Sequence, residues 1–385
     1  MSKKLKPTRL VGLLVEPDDS WGRNIIESSV RRGLEFGWTA LIAPRDHRGL
    51  LRVPKVWRGH GVIAALRNRA SLQHVKKLGV PAVNVSGILN NESWLASVRT
   101  DDRRRATMAA EHLRSRGIQH FACYAPEIGR YSDIRAREFK AAVEQLGCHC
   151  SLYDGAETAG WLTNFDRVGQ WLERLPRPLG VFAGDPYPAR QLIEICSILG
   201  MRVPDEVAVI SGDDDELLCN VAFPQISSVE LASHRIGKIA ADILQRLMNG
   251  GRVPKQAKLV EPLRVRARQS TDIFAIEDET IAAALQFIRA HAAKGASVED
   301  VAKAAAVSRR KLEQLFRETL QRTPGSELRR VRLDRAKDLL LNTDMSIDVI
   351  ADACSFSSGA SLSQLFRKEF GEAPGSYRRN SNHQS

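Results

Sequence analysis

The sequence predicts two folded parts in one 385-residue chain: an α/β domain over residues 1–272 and an all-α domain over residues 277–385 holding two helix-turn-helix units. Three observations predict this. Apolar strands alternate with helical patterns through the first 276 residues, residues 297–378 contain one segment twice, and the length exceeds what a single hydrophobic core fills.

In chain order, the strand candidates are 10–15, 61–66, 81–85, 120–124, 179–183 and 207–211, with a last one at 263–267. Helical patterns fall near 23–37, 70–79, 102–116, 132–147, 187–199 and 233–249. Such alternation implies parallel sheets covered by helices on both faces. No G-x-G-x-x-G follows a strand, and there is no P-loop and no G-x-S-x-G elbow. Dinucleotide, nucleotide and hydrolase readings lose their usual support. No catalytic residue, metal site or cofactor is expected.

Composition is that of a globular protein, 43% hydrophobic and 26% charged. No apolar run reaches 18 residues, so no membrane span is expected. The basic start, residues 1–9, leads straight into a strand without the pattern of a signal peptide. The six cysteines are scattered, and Cys148-x-Cys150 has no second ligand pair, so all six are expected to be reduced thiols of a cytoplasmic protein. The net charge of +12 is uneven. Residues 277–385 carry 17 Lys/Arg against 15 Asp/Glu; within them, 289–337 hold 13 basic and 6 acidic residues, and 338–385 hold 4 and 6. Phosphate attraction follows positive contacts, so the first repeat is expected to dominate any affinity for nucleic acid.

Polar residues cluster just after the candidate strands, where open α/β sheets bind ligands. They are Asp18 and Asp19 with Trp21 and Arg23 nearby, Asp101 and Asp102, Arg135, Asp185, and Asp213, Asp214 and Asp215. A carboxylate accepts from adjacent hydroxyls, an Arg fork donates several bonds, and an aromatic ring covers the C–H face of a sugar. Any one of these aspartates could equally be a helix cap or a turn former.

Together they resemble the sugar-binding domains of LacI/GalR-type repressors and periplasmic sugar receptors, over roughly residues 8–268. The most specific stretch runs from Pro204-Asp205-Glu206-Val207 to Ser211-Gly212-Asp213-Asp214, followed by Pro224-x-Ile226-Ser227-Ser228-Val229. A second is Val98-x-x-Asp101-Asp102, leading to His112-Leu113-x-x-x-Gly117. The resemblance implies a two-lobed, periplasmic-binding-protein-like fold whose cleft is lined by Asp213, Asp101, Arg135 and Asp185, with Trp21 and Asp18 as further candidates. Repressors of that family carry an N-terminal DNA-binding headpiece; here the first strand begins by residue 10.

The duplicated segment pairs Ser297-Val298, Val301-Ala302, Leu312, Leu315-Phe316-Arg317 and Pro324-Gly325-Ser326 with Ser346-Ile347, Ile350-Ala351, Leu362, Leu365-Phe366-Arg367 and Pro374-Gly375-Ser376. Each copy opens on a Ser suited to cap a short apolar helix, then a turn, then a second helix with apolar residues at helical spacing. That is a helix-turn-helix twice over, at about 297–320 and 346–370. A packing bundle would not need such short first helices. The pattern resembles the AraC-type DNA-binding domain over about 277–379, with two departures: Ser355 stands where that family usually has Gly, and Leu362 where it favours Phe.

With Leu312, Leu315 and Phe316 facing inward, Arg309, Arg310, Glu313, Gln314 and Arg317 are left on the outer face. The AraC-type resemblance implies base reading by Arg310, Glu313 and Gln314, and phosphate contacts by Arg309 and Arg317. The second recognition helix offers mainly serines, with Ser361 and Gln364 its candidates. It is expected to sense groove shape or backbone.

A LacI-like sensor ahead of an AraC-like reader resembles the bacterial xylose-operon regulators as a family. The resemblance implies a cytoplasmic activator with double-stranded DNA and a sugar, D-xylose, as partners, RNA polymerase contact if it activates, and a homodimer. The dimer is expected through the 25–36 and 72–78 faces, which could equally be sheet-covering helices. A regulator responding to another sugar, a repressor, a sugar-processing enzyme and a transport receptor are the alternatives.

Overall fold

The computed structural model describes residues 9–89, 92–126, 131, 133–155, 161–272, 279–320, 322–343 and 345–382. The chain forms two compact units, Met1–Ile273 and Phe274–Ser385. The expected join near 268–277 overlaps 273–278, which lie outside the described residues.

The first unit begins with β1 (Arg9–Leu14), α1 (Ser20–Glu35), β2 (Trp38–Ile42), β3 (Gly61–Ala64), α2 (Arg69–Leu78), β4 (Ala82–Asn84) and β5 (Ala96–Thr100). It continues through α3 (Asp102–Arg114), β6 (His120–Tyr124), α4 (Ile134–Gln145), β7 (Cys150–Leu152), α5 (Trp161–Glu173), β8 (Leu179–Ala183), α6 (Pro186–Ile198) and β9 (Val207–Ser211). It closes with α7 (Glu216–Val221), β10 (Ser227–Glu230), α8 (Ser233–Met248), β11 (Lys258–Val260) and β12 (Arg264–Arg266).

These strands form two six-stranded sheets, β11-β5-β4-β3-β1-β2 and β12-β10-β9-β8-β6-β7. All pairings are parallel except β10 with β12. Each sheet is the floor of one lobe, and the chain passes between lobes three times: from β5 to α3, from β10 to α8, and from β11 to β12. The result is the expected two-lobed α/β architecture.

Strands buried on both faces read most clearly in the sequence. β6, β8 and β9 have the expected bounds, and every residue of β8 and β9 is buried. Five strands and two helices were not expected: β2, β5, β7, β10, β11, α5 and α7. Of these, β2, β7 and β11 are sheet edges with short buried patterns. β10 hides its burial behind Ser227 and Ser228, both fully buried; the Ser227 N–H donates to Ser270 Oγ (2.8 Å) and its hydroxyl to the Arg268 carbonyl (3.0 Å).

Helix α8, far along the chain, returns to pack on α1 in the first lobe. The approach is close enough that a Cβ on Gly237 would stand 2.1 Å from Ser28 Oγ and 2.5 Å from the Ile25 carbonyl oxygen, so only glycine fits. Ile25 and Ile26 are buried in the core that α8 completes, and Leu72 and Val75 of α2 in the first lobe's other core. Ile25, Ile26, Leu72 and Val75 of the 25–36 and 72–78 faces thus cover the sheet from within the chain, while Leu34 on α1 stays exposed.

The second unit contains α9 (Glu279–His291), α10 (Val298–Ala304), α11 (Arg309–Leu320), α12 (Pro324–Asn342), α13 (Ile347–Ala353), α14 (Gly359–Phe370) and α15 (Pro374–Asn382). Ser297 caps α10 in a reciprocal box with Asp300, and Ser346 accepts from the Val349 N–H at α13 (3.3 Å). The turns of both repeats place a non-glycine residue in the left-handed region, Ala306 at φ 54° and Ser355 at φ 58°. Ser355 turns its hydroxyl to the Ala293 carbonyl (2.9 Å), a bond from the second repeat to the turn that precedes the first, and one that a glycine could not make. One core gathers Ile281, Leu285, Val301, Leu312, Phe316 and Leu328; the other gathers Leu333, Leu340, Ile350, Leu362 and Phe366. Helix α12 serves both.

The six cysteines are free and five are buried; burial pushes the Cys150, Cys196 and Cys219 thiols up to about 12.

His112 on α3 is held neutral where the end of the first unit packs against it. Its Nε2 lies 2.8 Å from Thr271 Oγ1, whose own proton goes to Ser227 Oγ (2.7 Å), and Arg116 faces its Nδ1 at 3.2 Å. Burial, with the Arg116 charge, lowers its pKa from 6.5 to about 3. The unfolded chain therefore binds a proton that the folded one refuses, so stability is lost as pH falls below 6.5. Urea unfolding should show wild type losing about 2 kcal/mol more than His112→Gln between pH 7 and pH 5. Equal losses would refute this account.

Candidate functional site

Parallel strands bring their C-terminal ends to one edge, and the two lobes face each other across it. From the first lobe come Asp19, Trp21, Arg67, Val85 to Ile88, Arg99 and Thr100; from the second come Asp102, Arg105, Tyr131, Arg135, Asp185 and Asp213. They line a cleft of about 540 Å³, open solvent included.

At its second-lobe wall two guanidiniums interleave with two carboxylates. Arg135 Nη1 is 3.0 Å from Asp213 Oδ2, and Arg105 Nη1 is 3.1 Å from Asp213 Oδ1. Asp102 Oδ1 sits 3.5 Å from Arg105 Nη1 and 3.8 Å from Arg135 Nε. Arg135 also donates to the Gly184 carbonyl, and its guanidinium lies 5.1 Å from the centre of the Tyr131 ring. The Arg105 side chain is 2% exposed, against 12–14% for the other three. Burial, then the neighbouring Arg135 charge, lowers the Arg105 pKa. Burial works against Arg135 too, but Asp213, Asp102 and Asp185 together outweigh it and its pKa rises. Asp102 Oδ1 and Arg105 Nε and Nη1 are buried without an aligned hydrogen bond. Their nearest partners are the opposite charges of the cluster itself.

On the opposite wall the Arg67 guanidinium lies 5.7 Å from the Trp21 ring centre and pairs with Glu16 at 2.8 Å. The lining thus holds four guanidiniums (Arg67, Arg99, Arg105, Arg135) and four carboxylates (Asp19, Asp102, Asp185, Asp213).

The structure brings Asp213, Arg135, Asp185 and Trp21 together in this cleft, and it leaves two expected residues outside. Asp101 is the cap of α3, accepting from the Arg104 N–H (3.0 Å); its neighbour Asp102, one residue on, faces the cleft. Asp18 is exposed and paired with Arg45, while Asp19 is buried, caps α1 through the Gly22 N–H (2.7 Å) and lines the cleft. In both pairs the second aspartate takes the place expected of the first. Asp185 combines both possibilities, capping α6 at the Tyr187 N–H (3.1 Å) while lining the cleft. Sequence reasoning missed Arg105. The run Arg103-Arg104-Arg105 reads as a solvated charge patch, yet Arg105 shares the helical stripe of Ala109 and Leu113, all buried.

In the second unit the outer face of α11 is as expected, and partly self-occupied. Arg309 pairs with Glu299 on α10 and with Glu313 (3.0 Å), and Gln314 donates to Glu318 (2.8 Å). Arg310 and Arg317 are exposed and engage no described residue. On α14, Gln364 is exposed and Ser361 is half-buried beside its cap Ser358, which accepts its N–H (3.1 Å). The two repeats seal the same helix–helix contact differently. Where Arg309 meets Glu299 by charge, Gly359 lets Asp348 come so close that a Cβ would stand 2.2 Å from its Oδ1.

Residues 110–271 match the periplasmic binding protein-like domain family, and residues 301–380 match a helix-turn-helix domain family. The xylose operon regulatory protein of Escherichia coli (strain K12) is 30% identical over 378 residues, 96% of each chain. That of Haemophilus influenzae is 29% identical over 328 residues, 83% of this chain and 85% of the other. The solved structure of the xylose-binding transcription activator xylR superposes with a TM-score of 0.78 at 28% identity, covering 97% of this chain and 98% of that one. Fold and sites together define a transcriptional regulator, not an enzyme, in which a periplasmic-binding-protein-like sensor precedes an AraC-type helix-turn-helix domain. The chain belongs to the family of xylose operon regulatory proteins.

Removing Arg105 leaves Asp102 and Asp213 short of a buried partner. Arg105→Ala should destabilise the protein by ~3–5 kcal/mol in urea unfolding, against under ~0.5 kcal/mol for Arg99→Ala in the same cleft. Similar values for both would contradict the burial argument.

Proposed function

We propose that the chain is a sugar-responsive activator that takes D-xylose into the cleft and binds double-stranded DNA through α11 and α14. The carrying observation is the Arg105–Arg135–Asp102–Asp213 cluster, within a lining whose fixed charges balance. Such a wall suits a neutral ligand rich in hydroxyls, since each hydroxyl both donates and accepts. The xylose binding and activation named for the solved relative support carrying both to this chain. A ligand touching both lobes selects the closed conformation, which changes how a homodimer presents its readers to DNA and to RNA polymerase in the cytoplasm. The coupling is worth ~1–3 kcal/mol.

A thermal-shift panel of pentoses and hexoses tests the ligand. D-xylose should raise the midpoint most, with about 2.7 kcal/mol gained at a hundredfold excess over Kd. Asp213→Ala, Arg135→Ala and Asp102→Ala should each lose ~2–5 kcal/mol of binding, while Asp101→Ala, a cap, should bind nearly as wild type. An Asp213→Ala variant binding within threefold of wild type would sink the cleft assignment.

For DNA, Arg310 is the base reader ready to act. Glu313 and Gln314 must first leave Arg309 and Glu318, and Arg309 and Arg317 fit phosphates. In gel shifts, Arg310→Ala should cost ~1–3 kcal/mol and relax preference at one base pair, with smaller effects from Ser361→Ala and Gln364→Ala. Equal loss of specificity from Ser361→Ala would contradict the asymmetry.

A further inference from the structure

Three aspartates in a row leave the end of β9, and each engages a different part of the sensor. Asp213 pairs with Arg135 and Arg105 in the cleft. Asp214 turns to the segment leading out of the sensor. Its Oδ1 accepts from Arg268 Nη2 (2.9 Å) and Ser228 Oγ (2.6 Å), and its Oδ2 lies 3.5 Å from Arg266 Nε. Arg268 is itself fixed by Asn220 Oδ1 (3.0 Å), the Ile226 carbonyl (2.8 Å) and Ser228 Oγ (2.7 Å). Four residues further on, Asp272 is the last described residue of the first unit.

Asp215 reaches the other lobe. Its Oδ2 accepts from the backbone N–H of Ser20 (2.9 Å) and from the Ser20 hydroxyl (3.1 Å), with Arg23 Nη2 at 3.8 Å. Ser20 opens α1 on the first lobe, whereas Asp215 follows β9 on the second. Separating the lobes must therefore break this bond. The loop between is short and pinned: the Ser211 hydroxyl donates to the Asp213 carbonyl (2.7 Å) and accepts from the Asp213 N–H (3.3 Å). Asp213 is thus fixed at its backbone, and Asp214 and Asp215, which follow it directly, are each anchored by partners of their own.

We propose that Asp213–Asp215 is one coupling loop in which Asp215 and Asp214 are positioning residues: Asp215 latches the closed lobes through Ser20, and Asp214 passes the state of Asp213 to the exit segment. This rests on the cleft being the sugar site. It differs from a purely local role, in which Asp215 merely caps α7 at the Leu218 N–H (3.0 Å) and Asp214 merely satisfies buried neighbours.

Ser20→Pro isolates the latch. Ser20 is the first residue of α1, and Asp19 before it is extended (φ −125°, ψ 166°), a setting that proline tolerates. The variant loses both donors to Asp215, together with the hydroxyl that accepts from the Glu216 N–H (3.4 Å) across the same lobe contact and from Arg23 Nη2 (3.1 Å), and it keeps the Asp215 cap at the Leu218 N–H. D-xylose affinity should fall about tenfold through faster release, and small-angle scattering of the sugar-free protein should report a larger radius of gyration. Ser20→Ala, losing one donor, should shift both in the same direction by less. Wild-type release rates and radius in Ser20→Pro would overturn the latch.

For the exit arm, Arg268→Lys keeps the charge and loses the fork. Arg268→Lys and Asp214→Asn should bind D-xylose within about twofold of wild type. The factor by which D-xylose changes affinity for DNA upstream of the chain's own gene should fall at least threefold. A full response in both would overturn the exit arm. If wild type binds no sugar at all, the cleft reading fails instead, and the scattering of sugar-free Ser20→Pro still decides the latch.

Discussion

Two guanidiniums and two carboxylates, set where the chain first crosses between the lobes, are the interaction on which the sensor depends. Ions taken out of water this far survive only as mutual partners. Arg105 can be buried because Asp102 and Asp213 flank it, and both carboxylates lie within 4 Å of Arg105 and Arg135. The cluster draws on three elements, α3, α4 and the end of β9, so its geometry is right only when the second lobe is fully folded.

Around that cluster the chain is arranged so that two lobes are separate bodies yet not separate segments. Three passages join the sheets, and α8, which follows strands of the second lobe, is committed to the first by its contact with α1 at Gly237. Each lobe has its own core.

How much of this the sequence discloses depends on whether a position is decided locally. β8 and β9 are buried on both faces, so runs of five and four apolar residues announce them. The capping serines and repeated apolar spacing announce the helix-turn-helix pairs in the same way. β10 is equally buried but polar, and its satisfaction comes from Arg268 and Ser270 some 40 residues later, a partnership no window can contain. At Asp18-Asp19 and Asp101-Asp102 the sequence locates an acidic strand end. Which carboxylate caps or pairs outward and which enters the cleft is a matter of one residue's rotation about the backbone, set by where the helix starts. Arg105 stayed hidden because a run of three arginines looks solvated, and its helical phase points inward only once Ala109 and Leu113 are known to be covered.

The single helix α12 has a consequence for the reading end of the molecule. It contributes Leu328 to one repeat's core and Leu333, Ala336 and Leu340 to the other's, so it is an axle with a wheel fixed at each end. Neither repeat can turn without the other. An α-helix advances about 1.5 Å and rotates about 100° per residue, so one residue inserted into α12 would throw the second repeat a quarter-turn and more out of phase with the first. The relative setting of α11 and α14 is thus written in a count of helical residues. Substitutions on the outer faces of either helix could accumulate gradually, but the phase between the two could change only by re-cutting that axle.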